Sequence, residues 1–290
     1  MSTFTTFAIA GVGNIGAYLA EGLLGLKASG KVKEVILLTR SSTANANVEK
    51  LVKKGAKVAV VDYTSQDSLT AALAGVDVVI STFGREAFTA QDAVAVASKA
   101  AGVRLFVPSE FGGRSDEEKV AALAIKANFH ARLRELGLPY LLVYTGSFPD
   151  MIFFAPLHLD LTSGKVLVGG DGNALVTFTS RPDIARFLAY VLTTLPPDQL
   201  NNKTFRLEGE RTSFNEVFKQ YEAKTGTKLE VTYRPIADLE AAVKANPADI
   251  VSVLHLHWAT NTGTIGKKED LSNGLFPGWK PKTVIEALGL

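Results

Sequence analysis

The 290-residue chain carries 31 Lys and Arg against 29 Asp and Glu, a formal charge of +2, and 47% of its residues are hydrophobic. That length can bury a large core, and the near-balance of charge excludes the strongly basic surface that nucleic-acid binding uses. With no cysteine, disulfides, thiolate metal sites and a cysteine nucleophile are excluded as well.

In chain order, short apolar runs alternate with helix-patterned segments. The runs are FAIAG, EVILLT, KVAVVD, DVVIST, RLFVPS and YLLVY. Each is rich in Val, Ile or Leu with little polar alternation, which predicts parallel strands covered by helices on both faces. Helices are expected between them, over Ala17 to Ala28, Asn47 to Lys54, Ser68 to Leu73, Ala90 to Ala100 and Glu117 to Leu136. The rhythm implies an α/β fold: a Rossmann-type doubly wound parallel sheet over residues 1–144, then a smaller α/β substrate-binding domain over 145–290. After Tyr144 the pattern loosens; Gly164 to Gly172 holds four glycines, and Pro196 and Pro197 precede paired asparagines. A helix is expected after Arg181-Pro182-Asp183, returning to the main sheet near 181–193, and another after Thr212. The opening MSTFTTFAIAG lacks a basic stretch ahead of a long apolar run, and no run reaches the ~18 apolar residues of a membrane span. A cytoplasmic protein with neither a membrane nor a nucleic-acid partner is expected.

The first run leads into Gly11-x-Gly13-x-x-Gly16, with Asn14 and Ile15 where the following helix is expected to open. In this strand-to-helix setting Gly11 permits a tight turn, Gly13 lets the backbone approach a pyrophosphate, and Gly16 lets helix pack on strand. The helix start adds unpaired N–H groups and a positive dipole end; the alternative is a plain turn. At the end of the second run, where NAD sites place a carboxylate, stands Arg40 after Thr39. A guanidinium there suits the 2′-phosphate of NADP(H), with Lys50 as a second basic candidate; a solvated strand-end arginine is the alternative. Asp62 closes the third run, beside an adenine edge or in an ordinary turn or cap. At the end of the fourth, Thr82, Phe83 and Gly84 let the backbone pass close to the cofactor.

A tyrosine four residues before a lysine, a common acid–base pair on this plan, is absent: none of the seven tyrosines has a lysine at that spacing. The segments AGVGNIG, LLTR, DVVISTFG, LFVPSEFG, IKANFHARLRELGLPY and GGDGNALVTFTSRPDIARF, in this order, resemble the isoflavone reductase and phenylcoumaran benzylic ether reductase group of the NmrA-like atypical short-chain dehydrogenases. The resemblance covers nearly the whole chain. It implies NADPH-dependent reduction of an apolar, aromatic small molecule, with Lys126, in the helix after VPSEFG, handling the proton.

Lys126 also has a case of its own. It sits in ALAIKANF among apolar neighbours, where partial desolvation would lower its pKa toward acid–base work; a solvated helix lysine is the alternative. His130, at i+4, is either a proton relay or a packed or exposed histidine. Ser109, Glu110 and Phe111 of VPSEFG fall at the carboxyl edge, where ligands of doubly wound sheets lie; a strand-to-helix cap is the other reading. The family's Asn-x-Phe after the sixth run is Gly146-Ser147-Phe148 here, a departure on the substrate side. Phe148 is expected at the cofactor edge, and Met151 and Phe154 line an aromatic pocket or pack a core. His255-x-His257 is not read as a metal pair, because i and i+2 point to different helix faces. The alternative function is a non-enzymatic NADP(H)-binding redox sensor acting on a protein partner, and the oligomeric state stays open.

Overall fold

The structure, a computed structural model, describes residues 4–40, 46–84, 87–115 and 121–290. The chain runs β1 (Thr6–Ala10), α1 (Gly16–Leu24), β2 (Glu34–Thr39), α2 (Ala46–Lys53), β3 (Lys57–Val60), α3 (Gln66–Ala72), β4 (Val78–Ser81), α4 (Phe88–Ala100), β5 (Leu105–Val107), α5 (Ala121–Glu135) and β6 (Leu141–Tyr144). It continues through α6 (Pro149–Ile152), β7 (Lys165–Gly169), β8 (Val176–Phe178), α7 (Arg181–Thr194), β9 (Lys203–Arg206), β10 (Glu210–Thr212), α8 (Phe214–Thr225), β11 (Glu230–Arg234), α9 (Ile236–Ala245), α10 (Ile250–Ala259) and α11 (Val284–Ala287). The first residues of the helix expected from Glu117 lie outside the described residues. No helix among the described residues is long and apolar enough to cross a membrane.

The chain divides into two compact units. The first takes Met1–Phe111, Ile125–Val143 and Ile184–Phe205. Its five parallel strands lie in the order β3-β2-β1-β4-β5. A parallel bridge from Phe106 to Tyr140 sets β6 beside β5, and β6 pairs in turn with β9. Because side chains alternate along a strand, Ala8, Ala10, Leu38, Val79 and Phe106 share one face with Leu69, Val94 and Leu133 of α3, α4 and α5. Phe7, Ile9, Leu37, Val78 and Ile80, on the opposite face, are just as fully buried. Each such side chain contributes about 1.5–3 kcal/mol.

α1 buries Gly16, Leu19, Ala20, Leu23 and Leu24, a single stripe at helical spacing, and packs on β1 and β2. A methyl on its Gly22 would lie 3.0 Å from the Ala185 carbonyl oxygen of α7, so glycine is what lets those helices close. Two expectations need correction. α1 starts at Gly16, two residues after Asn14, and stops at Leu24, where bonds of the i to i+3 kind take over: Leu26 N–H donates to Leu23 and Lys27 N–H to Leu24. β3 is not covered on both faces; it is the edge strand, and Val60 is 55% exposed.

The second unit takes Gly112–Ala124, Tyr144–Asp183 and Arg206–Leu290. Parallel β7 and β11 and antiparallel β8 and β10 carry its core with α8 and α10. Phe214 is its hub, with ring centroids 5.8 Å from Phe178 and 5.1 Å from Trp258. The Trp258 Nε1–H donates to Ser147 Oγ at 2.9 Å, which satisfies the one polar atom of a buried indole.

Candidate cofactor cradle and proton-handling site

β1 occupies the centre of the sheet and the chain reverses direction across it between β2 and β4, so the loop after β1 lies at the topological switch point. Gly11 has φ +94°, which L side chains rarely adopt, and its Cβ position would sit 3.2 Å from the Thr82 backbone oxygen. A Cβ at Gly16 would collide with the Gly11 carbonyl and stand 2.5 Å from Thr82 Oγ1. The Thr82 hydroxyl donates to the Gly11 carbonyl, and Thr82 N–H to Ala10 at 2.8 Å. Gly16 thus lets the helix start nest into the loop and the end of β4. Gly13 differs: nothing lies within 4 Å of its Cβ position. Ile15 stands at the N-cap and no side chain caps α1, while the Ala17 N–H turns back to the Gly13 carbonyl at 3.3 Å, with Asn14 in the turn just before. Two glycines shape a loop and the third opens a face, which fits a pyrophosphate cradle.

Around that loop the expected residues separate. Arg40, just past β2, is exposed and forms no ion pair with a described residue. Lys50 instead lies 3.4 Å from Glu21 of α1, which also holds Lys54, so its ammonium already has a partner. The Asp62 carboxylate accepts from Thr64 Oγ1 at 2.7 Å and Thr64 N–H at 2.8 Å; these bonds hold it below the usual range in an Asx turn. Phe83 is half-buried, edge-on to Tyr63 at 5.4 Å, and Gly84 is exposed. Tyr63 was not foreseen in this role: its hydroxyl donates to Leu38 O at 3.0 Å, and burial pushes its phenol up to about 12, with the Arg40 charge acting against it.

The second cluster gathers behind β5. Ser109 and Glu110 do not close that strand, which ends at Val107; they lie in the loop beyond it. Ser109 N–H donates to Gln91 Oε1 at 2.8 Å and its hydroxyl to Phe83 O at 2.8 Å, tying this loop to α4 and to the loop after β4. Gln91, fully buried, is a positioning residue that helix patterning does not reveal. Phe111 follows, buried, with φ +21°, an angle uncommon for a side-chain-bearing residue.

α5 presents Lys126, Phe129, His130 and Leu133 on one stripe, i, i+3, i+4 and i+7. Phe129, His130 and Leu133 are buried and Lys126 half-buried. Lys126 Nζ donates to the Glu110 carbonyl oxygen at 2.7 Å. The Glu110 carboxylate, 2% exposed, meets His130 Nε2 at 2.8 Å rather than capping a helix. Burial pushes the Lys126 ammonium below the usual lysine range, and the Glu110 charge opposes that shift. The arrangement can present a proton on nitrogen that is easier to release than a solvated lysine's.

Phe148, Met151 and Phe154 belong to the second unit. Phe148 is buried at the N-cap of α6, Met151 is half-buried and Phe154 is 41% exposed. Their neighbours Ile152 and Phe153 pack into that unit's core, so the aromatic cluster divides between core and surface. His255 is buried with Nε2 on the Leu157 carbonyl at 3.0 Å, while His257 Nδ1 meets Thr262 Oγ1 at 3.0 Å.

The model of the NmrA-like family matches residues 5–273. An isoflavone reductase homologue of Nicotiana glauca is 33% identical over 82% of this chain and 80% of its own length. A phenylcoumaran benzylic ether reductase of Populus trichocarpa is 32% identical over 97% of this chain and 96% of its own. The leucoanthocyanidin reductase of Vitis vinifera, solved as a binary complex with NADPH, superposes with a TM-score of 0.82 over 98% of each chain at 24% identity, a likeness of fold. On the family match and the two relatives, the chain belongs to the NmrA-like family.

Proposed function

We propose that this chain is an NADPH-dependent reductase that transfers a hydride to an apolar, aromatic small molecule of the phenylpropanoid, flavonoid-like or quinone kind, with Lys126 as general acid/base. The observation that carries the reading is the Lys126 ammonium, set on the inward stripe of α5, held by the Glu110 carbonyl at 2.7 Å and lowered in basicity by burial. When bound, NADPH supplies the hydride with its two electrons. The open face of Gly13 and the uncapped start of α1 would hold the pyrophosphate, and exposed Arg40 would pair with the 2′-phosphate. Lys126 Nζ gives its proton to the atom of the acceptor that becomes negative as hydride arrives; the N–H electron pair stays on nitrogen, leaving a neutral amine for reprotonation from solvent. Half-buried Met151 and exposed Phe154 are the apolar groups assigned to the substrate, and Phe148 to the cofactor side. The names of the relatives, an isoflavone reductase homologue and a benzylic ether reductase, support the aromatic class.

The test is an NADPH-oxidation screen against aromatic benzylic ethers, enones and quinones. Turnover of at least one class is expected. If wild type reduces none of them, yet binds NADP(H) and changes its association with another protein, the redox-sensor reading takes its place.

A further inference from the structure

Burial alone would strip Lys126 of its proton too easily. A lysine that is to donate must be protonated at neutral pH, and a desolvated ammonium needs a nearby negative charge to remain so. Glu110 is the group whose charge bears on it. Its carboxylate is itself buried, and a buried carboxylate is tolerable only with donors on its oxygens. His130 Nε2 stands 2.8 Å from Glu110 Oε1, the two side chains being 6% and 1% exposed. An ionised carboxylate only accepts, so the imidazole places its proton on Nε2. The loop that carries Glu110 is pinned independently through Ser109, on Gln91 and on the Phe83 carbonyl.

We propose that Glu110 is the positioning residue for proton transfer at Lys126: its backbone carbonyl aims Nζ, and its carboxylate, anchored by His130, supplies the negative charge that keeps the buried ammonium protonated. The inference deepens the reading of Lys126 as proton donor and rests on it. Sequence spacing puts Lys126 and His130 one helical turn apart, but only the fold delivers Glu110, whose backbone carbonyl meets Lys126 Nζ and whose carboxylate meets His130. Of the elements packed here, α5 supplies Lys126 and His130, the loop after β5 supplies Glu110, and α4 supplies neutral Gln91; Asp92 of α4 pairs with Arg132 at 2.8 Å, both about half exposed. Among the described residues, the charge that bears on Lys126 is that of Glu110.

The experiment titrates the Lys126 side chain directly, by carbon-13 NMR of its ε-carbon in the cofactor-free protein, and in parallel records the pH profile of NADPH-dependent turnover. Glu110→Gln keeps the shape and the bond to His130 but removes the charge, so the Lys126 titration should fall by about one pH unit or more, and the alkaline limb of the profile should fall with it. His130→Gln still offers the carboxylate a neutral donor and should leave the titration within a few tenths of wild type. If Glu110→Gln does not fold, Glu110→Asp, with its carboxylate drawn back by one methylene, should give a smaller fall of the same sign. An unchanged Lys126 titration in the Glu110 variant, or equal falls in the Glu110 and His130 variants, overturns the proposal. The two readings fail separately: a shifted titration with no turnover in wild type defeats the reductase, whereas turnover with an unshifted titration defeats the role of Glu110.

Discussion

Gly13 and Gly16 belong to one loop yet should fail in opposite ways. Gly13 has open space in front of its Cβ position and no positive φ, so Gly13→Val should fold nearly as wild type does. Its side chain would occupy the face assigned to the pyrophosphate. With NADPH at ~100 times its wild-type dissociation constant, wild type should gain about 2.7 kcal/mol, or roughly 5–10 °C in unfolding midpoint, and Gly13→Val should gain little. Gly16→Ala meets the Gly11 carbonyl and Thr82 Oγ1 in the free protein. Overpacking of that kind costs about 1–3 kcal/mol, while the better helix propensity of alanine returns at most ~1 kcal/mol. The clash wins, and the midpoint without ligand should drop by several degrees. Thermal unfolding followed by far-ultraviolet circular dichroism, with and without NADPH, reads both effects. A Gly13→Val protein that keeps the full ligand shift, or a Gly16→Ala protein as stable as wild type, would refute the division of labour drawn from the loop.

Arg40→Ala should weaken NADPH binding roughly 10- to 150-fold, the equivalent of a charge-assisted contact worth ~1.5–3 kcal/mol, while NADH binding stays within a few fold; calorimetric titration decides, and equal wild-type affinities for both cofactors would sink the assignment. Lys126→Ala should keep NADPH affinity within a few fold but cut turnover by ~10²–10⁴, and Lys126→Arg should restore little because guanidinium holds its proton; an active Arg variant points to electrostatics instead. Since burial lowers the folded value of Lys126, the unfolded chain binds more protons between that value and the free lysine value of 10.5. Stability from this site therefore rises with pH across that window, and in urea unfolding Lys126→Met should show a flatter rise than wild type. Tyr63 has the opposite sign: its phenol is held up at about 12 against 10.0 when free, so its stabilisation is intact below 10.0 and is lost as pH climbs toward 12. Ultraviolet titration of Tyr63→Phe should lack an ionisation near pH 12 that wild type shows.

The six strand runs were legible because each is a short, dense apolar segment in a parallel sheet, and all six appear as strands. The glycine spacing was legible for the same local reason. What escaped was set by partners distant in sequence. β7, β8, β10 and β11 are three to five residues long and mix Lys, Thr, Glu and Arg into their pattern, too little periodicity to stand out. The exposure of β3 follows from its place at the sheet edge, which no residue within it encodes. Gln91 looks like any polar helix residue until Ser109 arrives from 18 positions away. Lys50 reads as a free cation, and only the packing of α1 on α2 hands it to Glu21. His130 was visible as a neighbour of Lys126, but its carboxylate partner lies 20 residues upstream.

The return of the chain to the first unit sets an order on its assembly during synthesis. When β6 leaves the ribosome it is the last strand of a sheet whose outer neighbour, β9, has not yet been made, and α7, which closes on Gly22, is also missing. The nascent first unit must wait with an unpaired strand edge and a bare helix groove, both of which invite association with other chains. A fragment stopped after Tyr144 would be fixed in that state, so a dinucleotide-binding half cut at the apparent sequence boundary should aggregate, whereas one carried through β9 would have its edge paired.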